Sequence, residues 1–428
     1  MRGKQDNCST IRKKIVQTGH PVFLHANFWN MKEKGGVLMQ KKRSIKIIAI
    51  VLILMLICVS ITYVKSGNKE VLATTKEFNS ENLQDNEHMH VEIDSSGDKV
   101  PVPNGYVGSK ATGENEIDTG YVIYEGEEEV NNENVEEAQK TRNQYVWIPV
   151  PDASEMYGTD ANGKKWGKLY EFTTETGDNV DSITGTKPLT WSWSESNGEI
   201  KIDMNRNKEP WIRKDSDKDS RLKTLNLDVE TMYDFLVILE QEFNDMIESV
   251  KKYGGFYLGR YETGDLNQNN AVVVKGNSKI TGTYLKGIKW YSCYQLCKTL
   301  KSKNTNIETG MIWGCQWDRI LMWLIESGNK TKEEICNSTE WGNTEGNWGA
   351  LKSTGYSEDW KVANIYDLLG NINEWTMESE SWNNSDRISR GGCYYNNTYT
   401  VTRRDSDAPH GTNSLGFSAG CRAMLYIK

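Results

Sequence analysis

The chain has 428 residues, enough for two or three average domains. Apolar residues make up only 37 %, but 15 Trp and 20 Tyr allow an aromatic core beneath polar loops. A formal net charge of −8 gives no basic surface for a nucleic-acid partner.

Charge is divided unevenly along the chain. Residues 1–46 hold eleven Lys or Arg against two acids, leaving 40 basic and 57 acidic residues for the remainder. Ile47 to Val64 is an uncharged run of 18, mostly Ile, Leu and Val, flanked by Lys41-Lys42-Arg43 and Lys46. That length is at the lower edge for a helix that spans a bilayer. The basic flank puts residues 1–46 in the cytoplasm and everything after Lys65 outside. A signal anchor over 47–64 is therefore expected, with a single-pass topology. Two other readings stay open: a cleaved signal, which would leave a secreted protein, and a buried core helix. Cys58 is not a lipidation site, because Ile57 before it is not small. Met39 is an alternative start, since Lys34 to Val37 can be encoded by a purine-rich run resembling a bacterial ribosome-binding site.

Residues 65–98 are polar and acidic and read as a stalk, with His88-Met89-His90 solvated rather than metal-bound. Residues 99–142 form a short extension with β-like pieces at Gly105–Val107 and Tyr121–Tyr124, and the acidic run from Glu125 to Lys140 reads as a solvated helix face. Tyr145–Val150 is a strand. An insertion over about 151–227 follows, with Trp191 and Trp193 expected to pin it to the body. From Asp228, Met232, Phe235, Leu236, Leu239, Phe243, Met246, Ile247 and Val250 recur at helical spacing, and Gly254-Gly255 stops the helix. Gly255–Glu262 is a strand. Helices are predicted from Trp290 to Leu300 and across Gln316-Trp317-Asp318 to Leu324.

Cys293, Cys297, Cys315, Cys336, Cys393 and Cys421 lie outside the expected membrane segment and contain no Cys-x-x-Cys pair. Cys293 and Cys297 share one helical face and read as buried apolar thiols. The disulfide state is open.

The sharpest motif is Asn364 to Trp375, Asn-Ile-Tyr-Asp-Leu-Leu-Gly-Asn-Ile-Asn-Glu-Trp, followed by Arg390-Gly391-Gly392. The two together resemble the C-terminal half of the formylglycine-generating enzyme (sulfatase-modifying factor) family. The resemblance extends back to about Asn143, roughly two thirds of the chain, through Tyr145–Val150, Gly255–Glu262, Ile288-Lys289-Trp290 and a closing strand over Gly416–Ile427. It implies an α+β fold over 143–428, irregular and mixed, of the C-type-lectin-like type, here preceded by one transmembrane helix. It also implies a calcium site at Asp367, Gly370, Ile372 and Glu374, with carboxylates from the first and last and main-chain carbonyls from the middle two. A hard cation takes six to eight such oxygens, which suits this donor set. A plain hydrogen-bonded turn is the competing reading. A second calcium site in Gly342–Asp359 stays open.

The family's oxidase chemistry needs a copper ion held by two cysteines, since soft thiolates select Cu(I). Counted from Arg390-Gly391-Gly392, those positions are Asn396 and Val401. Neither side chain binds Cu(I), so copper and catalysis are not expected. What remains is a surface of Tyr394, Tyr395, Asn396, Asn397, Tyr399, Arg403 and Asn413, residue types that suit adaptable contacts; Arg404, Asp405 and His410 lie in the same stretch. The competing reading is a plain loop cover with Tyr394 or Tyr395 turned into the core. The expectation is a non-catalytic, calcium-stabilised module on the outer face of a bacterial membrane, binding a protein or glycan. The alternatives are a thiol oxidase acting on a sulfatase cysteine and a purely structural envelope component.

Overall fold

Six strands set the frame. β5 (Gln144–Pro149) lies in the middle of an antiparallel sheet, and its side chains from Gln144 to Ile148 are all buried. Such a strand is apolar on both faces because both are covered. The computed structural model describes residues 78–159, 163, 165–172, 184–187, 232–266, 272–280, 288–344, 349–379, 387–407 and 419–428. Before β5 come β1 (Met89–Ile93), β2 (Lys99–Pro103), β3 (Tyr106–Gly108), β4 (Val122–Glu125) and the short helix α1 (Val135–Thr141). After it come β6 (Tyr157–Thr159), β7 (Lys165–Gly167), β8 (Leu169–Glu171) and β9 (Thr184–Lys187), paired as two hairpins.

The long helix α2 (Met232–Tyr253) then feeds β10 (Gly255–Gly259) through Gly254, whose φ of +80° is a left-handed turn that glycine adopts without strain. The predicted stripe is in the core: Phe235, Leu239, Phe243, Met246, Ile247 and Val250 are all buried. β10 pairs with β5 from Gly255↔Pro149 to Gly259↔Tyr145. Helices α3 (Trp290–Thr299) and α4 (Gly314–Glu326) flank β11 (Ile307–Met311), and α5 (Lys332–Asn337) follows with a Thr331–Glu334 capping box.

The rest of the chain is mostly strand: β12 (Lys361–Val362), β13 (Ile365–Tyr366), β14 (Asn373–Ser379), β15 (Arg387–Arg390), β16 (Asp405–Asp407), β17 (Ala419–Cys421) and β18 (Ala423–Ile427). The large sheet runs β11-β18-β10-β5-β4-β3. A four-stranded sheet runs β16-β15-β14-β17, with β14 and β17 parallel from Asn373↔Ala419 to Trp375↔Cys421. The fold is mixed α+β, with five α-helices among the described residues.

One expectation is corrected. The stretch read as a stalk to residue 98 joins the body from Phe78 onward. β1 pairs with β2 from Met89↔Pro103 to Ile93↔Lys99, and Leu83 and Met89 are buried in the core. The reason is alternation: Met89 points inward while His88 and His90 on either side point outward and bond Asn306 and Glu92 at 3.3 Å. Polar composition hid a strand whose one fully buried residue is Met89, with Val91 half-buried against the same core. Among the described residues no helix is long and apolar enough to cross a membrane. Residues 47–64, Trp191 and Trp193 lie outside the described residues.

Candidate functional site

Backbone shape comes first in the Asn364–Trp375 segment. Asn364, Asp367, Gly370 and Asn371 all have positive φ, between 56° and 82°. This curls the chain so that side-chain amides and carboxylates turn inward. Gly370 is required on two counts: its φ is left-handed, and a Cβ there would sit 2.4 Å from Asn343 O. That close approach lets Asn371 N reach Asn343 O at 2.9 Å. Asn364 Nδ2 donates to the carbonyls of Gly113 (2.6 Å) and Gly120 (2.8 Å), tying the curl to the N-terminal extension.

Asn371 is the hub. Its Oδ1 accepts from Asn343 Nδ2 and Lys352 N, both at 3.0 Å, and its Nδ2 donates to Glu262 Oε2 at 2.6 Å. Glu262 Oε1 accepts from Ile372 N at 3.2 Å. Glu374 faces Arg422, whose Nε and Nη2 donate to Oε2 at 2.9 Å and to Oε1 at 2.6 Å. The same guanidinium donates to Gly259 O and Tyr366 O. Asp367 Oδ2 accepts from Gly355 N at 3.1 Å, whereas its Oδ1 and Asn343 Oδ1 are buried and accept no hydrogen bond.

Three buried carboxylates thus share one guanidinium. Burial pushes Glu262 well above the usual carboxylate range, and the charges of Asp367 and Glu374 add to it. Burial likewise holds Asp367 up at about 6, and Glu374 at about 7 in spite of Arg422. The excess negative charge calls for protons or a cation. Asp367 is suited to a hard cation, with an orphaned oxygen. Glu374 suits it less, because both its oxygens already face Arg422. Among the described residues no three His, Cys, Asp or Glu side chains are arranged to hold a metal. Gly370 and Ile372 flank the hub, with Gly370 N donating to Gly391 O at 2.7 Å.

A second buried ionic group lies under Arg390-Gly391-Gly392. Arg390 donates to Asp318 Oδ1 (2.8 Å) and Glu378 Oε2 (3.1 Å). Arg404 donates to Asp318 Oδ2 (2.8 Å) and Glu378 Oε1 (2.7 Å). Two cations meet two anions in a closed ring, with Arg390 and Asp318 fully buried. Reading Arg404 as part of an exposed face was incomplete: four-fifths of its side chain is covered, because it completes this ring.

Above the ring runs the Tyr- and Asn-rich segment. Tyr394 is buried, against its expected place on the surface, and packs edge-on to Tyr395 at 5.2 Å. Tyr395, Asn396 and Tyr399 are half-buried and Asn397 is exposed. Asn396 Oδ1 accepts from Thr398 N and Thr398 Oγ1, a local turn. Arg403 is exposed, with its guanidinium 3.8 Å from the centre of the Tyr399 ring and 3.6 Å from Asp405. Asn413 and His410 lie outside the described residues. Val401 is fully buried and its carbonyl accepts from Trp317 Nε1 at 3.1 Å. The positions where the resemblance puts two thiols therefore carry a turn amide and a core methyl pair. Cys393 is buried beneath them, and that burial pushes its thiol up to about 11.

No family model matches this chain, and no curated protein matches it. Among solved structures it is similar to one described as the crystal structure of CarF, with a TM-score of 0.28 and 11 % identity over 41 % of this chain and 87 % of that one. A likeness at that level carries no argument about fold or function.

Proposed function

We propose that this chain is a non-catalytic binding module of the C-type-lectin-like, formylglycine-generating-enzyme type, displayed on the outer face of a bacterial membrane through residues 47–64. Its ligand is a protein or glycan, and calcium stabilises it at the Asp367 curl. The observation that carries the binding reading is the Tyr399–Arg403 pair beside Asn397. Arg390 of the buried ring of four charges donates to Thr402 O at 3.0 Å, which ties the backbone next to Arg403 to that ring. A rigid base under adaptable Tyr, Asn and Arg side chains lowers the ordering cost of binding. Asn396 and Val401 support a module without copper chemistry.

A screen of glycan, peptidoglycan and protein arrays with the full chain tests this. Tyr399→Ala combined with Asn397→Ala should weaken capture about tenfold or more, in line with loss of a contact hot spot, while leaving the thermal midpoint within a degree or two. Unchanged capture would reject the surface. Copper-dependent turnover of a cysteine-containing sulfatase peptide would replace the binding reading with the oxidase one.

A further inference from the structure

Three thiols meet in the core where α3 packs behind the end of β17. Cys293 and Cys297 are one helical turn apart, so their side chains lie on the same face of α3. Both are fully buried, as is Cys421. Cys293 Sγ lies 3.6 Å from Gly420 O, and Cys297 Sγ lies 4.0 Å from Arg422 O. Those carbonyls belong to the residues immediately before and after Cys421, so the two α3 thiols straddle it. Both also reach the Cys421 sulfur, which lies 3.2 Å from Thr263 Oγ1 as well.

We propose that Cys421 forms a disulfide with one thiol of the α3 pair, Cys293 or Cys297. Thiol–disulfide exchange with an external disulfide makes the bond during folding, before the sulfurs are covered. The external S–S bond breaks and one intramolecular S–S bond forms. The two cysteines are oxidised, and the external disulfide is reduced to two thiols that carry away the two protons. The third cysteine stays reduced beside the bridge. During folding, before burial suppresses its thiolate, it can exchange with the bridge and move the bond from one α3 sulfur to the other with no net redox change. A metal is a poorer use of the trio, because the three sulfurs do not form a metal-holding group.

The position of the bond gives it a consequence. Cys421 directly precedes Arg422, the guanidinium that holds Glu374. A bridge to α3 fixes the strand end that delivers this charge to the buried carboxylates. It also ties residues more than a hundred positions apart, which restricts the unfolded chain. The inference does not depend on the ligand or on the calcium site.

The test is a refolding experiment on the full chain, denatured and reduced, then renatured in a mixture of oxidised and reduced glutathione. Alkylation under denaturing conditions should find two fewer free thiols than in the reduced chain. Trypsin should release peptide 290–298 joined to peptide 405–422, two hydrogens lighter than their sum. Reductant should separate them and lower the thermal midpoint by several degrees. Cys293→Ser and Cys297→Ser should each keep the cross-link, and the double substitution should abolish it. Full alkylation of every cysteine, a bond confined to Cys293 and Cys297, or a bridge that omits Cys421 would overturn the proposal.

Discussion

An Arg422→Met chain is expected to lose about 3–5 kcal/mol of unfolding free energy above neutral pH, where Glu374 has lost its proton, the usual cost of breaking a buried ion pair from one side. Methionine fills much of the space but leaves Glu374 with no counter-charge and the carbonyls of Gly259 and Tyr366 with no donor. A loss of that size is a large part of a typical total stability of about 5–15 kcal/mol. Urea unfolding measures it directly. Adding Glu374→Gln to Arg422→Met should recover part of the loss, because the stranded charge disappears with its partner. If Arg422→Met costs less than about 1 kcal/mol, the range of exposed pairs, the guanidinium is not the counter-charge of this interior.

The pH dependence of that variant separates charge from volume. Glu374 is held at about 7 even with Arg422 beside it, so without Arg422 its proton is retained to higher pH. Its deficit should therefore be small at pH 5, where the carboxyl is neutral, and grow as pH rises. A deficit equal at both pH values would mean that only packing was lost.

Much of this was legible from residue types. The 3–4 spacing of Phe235 to Val250 required a helix with one core face, and Gly254 had to end it. The apolar run at Tyr145–Val150 reads as a strand, and β5 lies there, buried on both faces. The Asn364–Trp375 motif reads as a calcium loop or a hydrogen-bonded turn, and its Asn371 does hold a hub of hydrogen bonds. Illegible were the partners. Asp318, Glu378, Arg390 and Arg404 come from α4, β14, β15 and the loop before β16, and no spacing rule links positions up to 86 apart. Their signal was present only as charges sitting inside otherwise apolar stretches, notably Asp318 among Trp317, Ile320 and Leu321.

The surface segment was read by composition alone, because it has no period. Composition cannot tell Tyr394, which fills the core, from Tyr399, which stacks under Arg403 at the surface. The resemblance implies one donor group from Asp367 to Glu374. The fold uses them differently: Asp367 keeps an oxygen without a hydrogen bond, while Glu374 is matched to an arginine 48 residues away.

The chain stripped of divalent cations should be more stable at pH 5 than at pH 8, and calcium should reverse most of that difference. Asp367 at about 6, Glu374 at about 7 and Glu262 above both have folded values raised over their unfolded ones. Raised acids bind their protons more tightly in the folded state, so the stability they contribute is full below about pH 4 and lost as pH rises through those values. For Asp367 alone the shift is on the order of 3 kcal/mol. Glu92 and Glu334, lowered to about 2, act in the opposite sense but only as pH falls below the ordinary carboxylate range, outside this window. His90 and Glu155, both raised and only partly buried, add a smaller slope of the same sign. Asp367→Asn removes its own share and leaves theirs, so the difference between the two profiles belongs to the curl. A cation that binds only the folded chain adds about 2.7 kcal/mol at a hundredfold excess over its dissociation constant. That gain should appear at pH 8, fade at pH 5 where protons already neutralise the same oxygens, and vanish in Asp367→Asn. Thermal melts across pH, with and without calcium, measure both terms. A pH slope without any calcium response would leave protons as the sole neutralising agent and remove the metal from this fold.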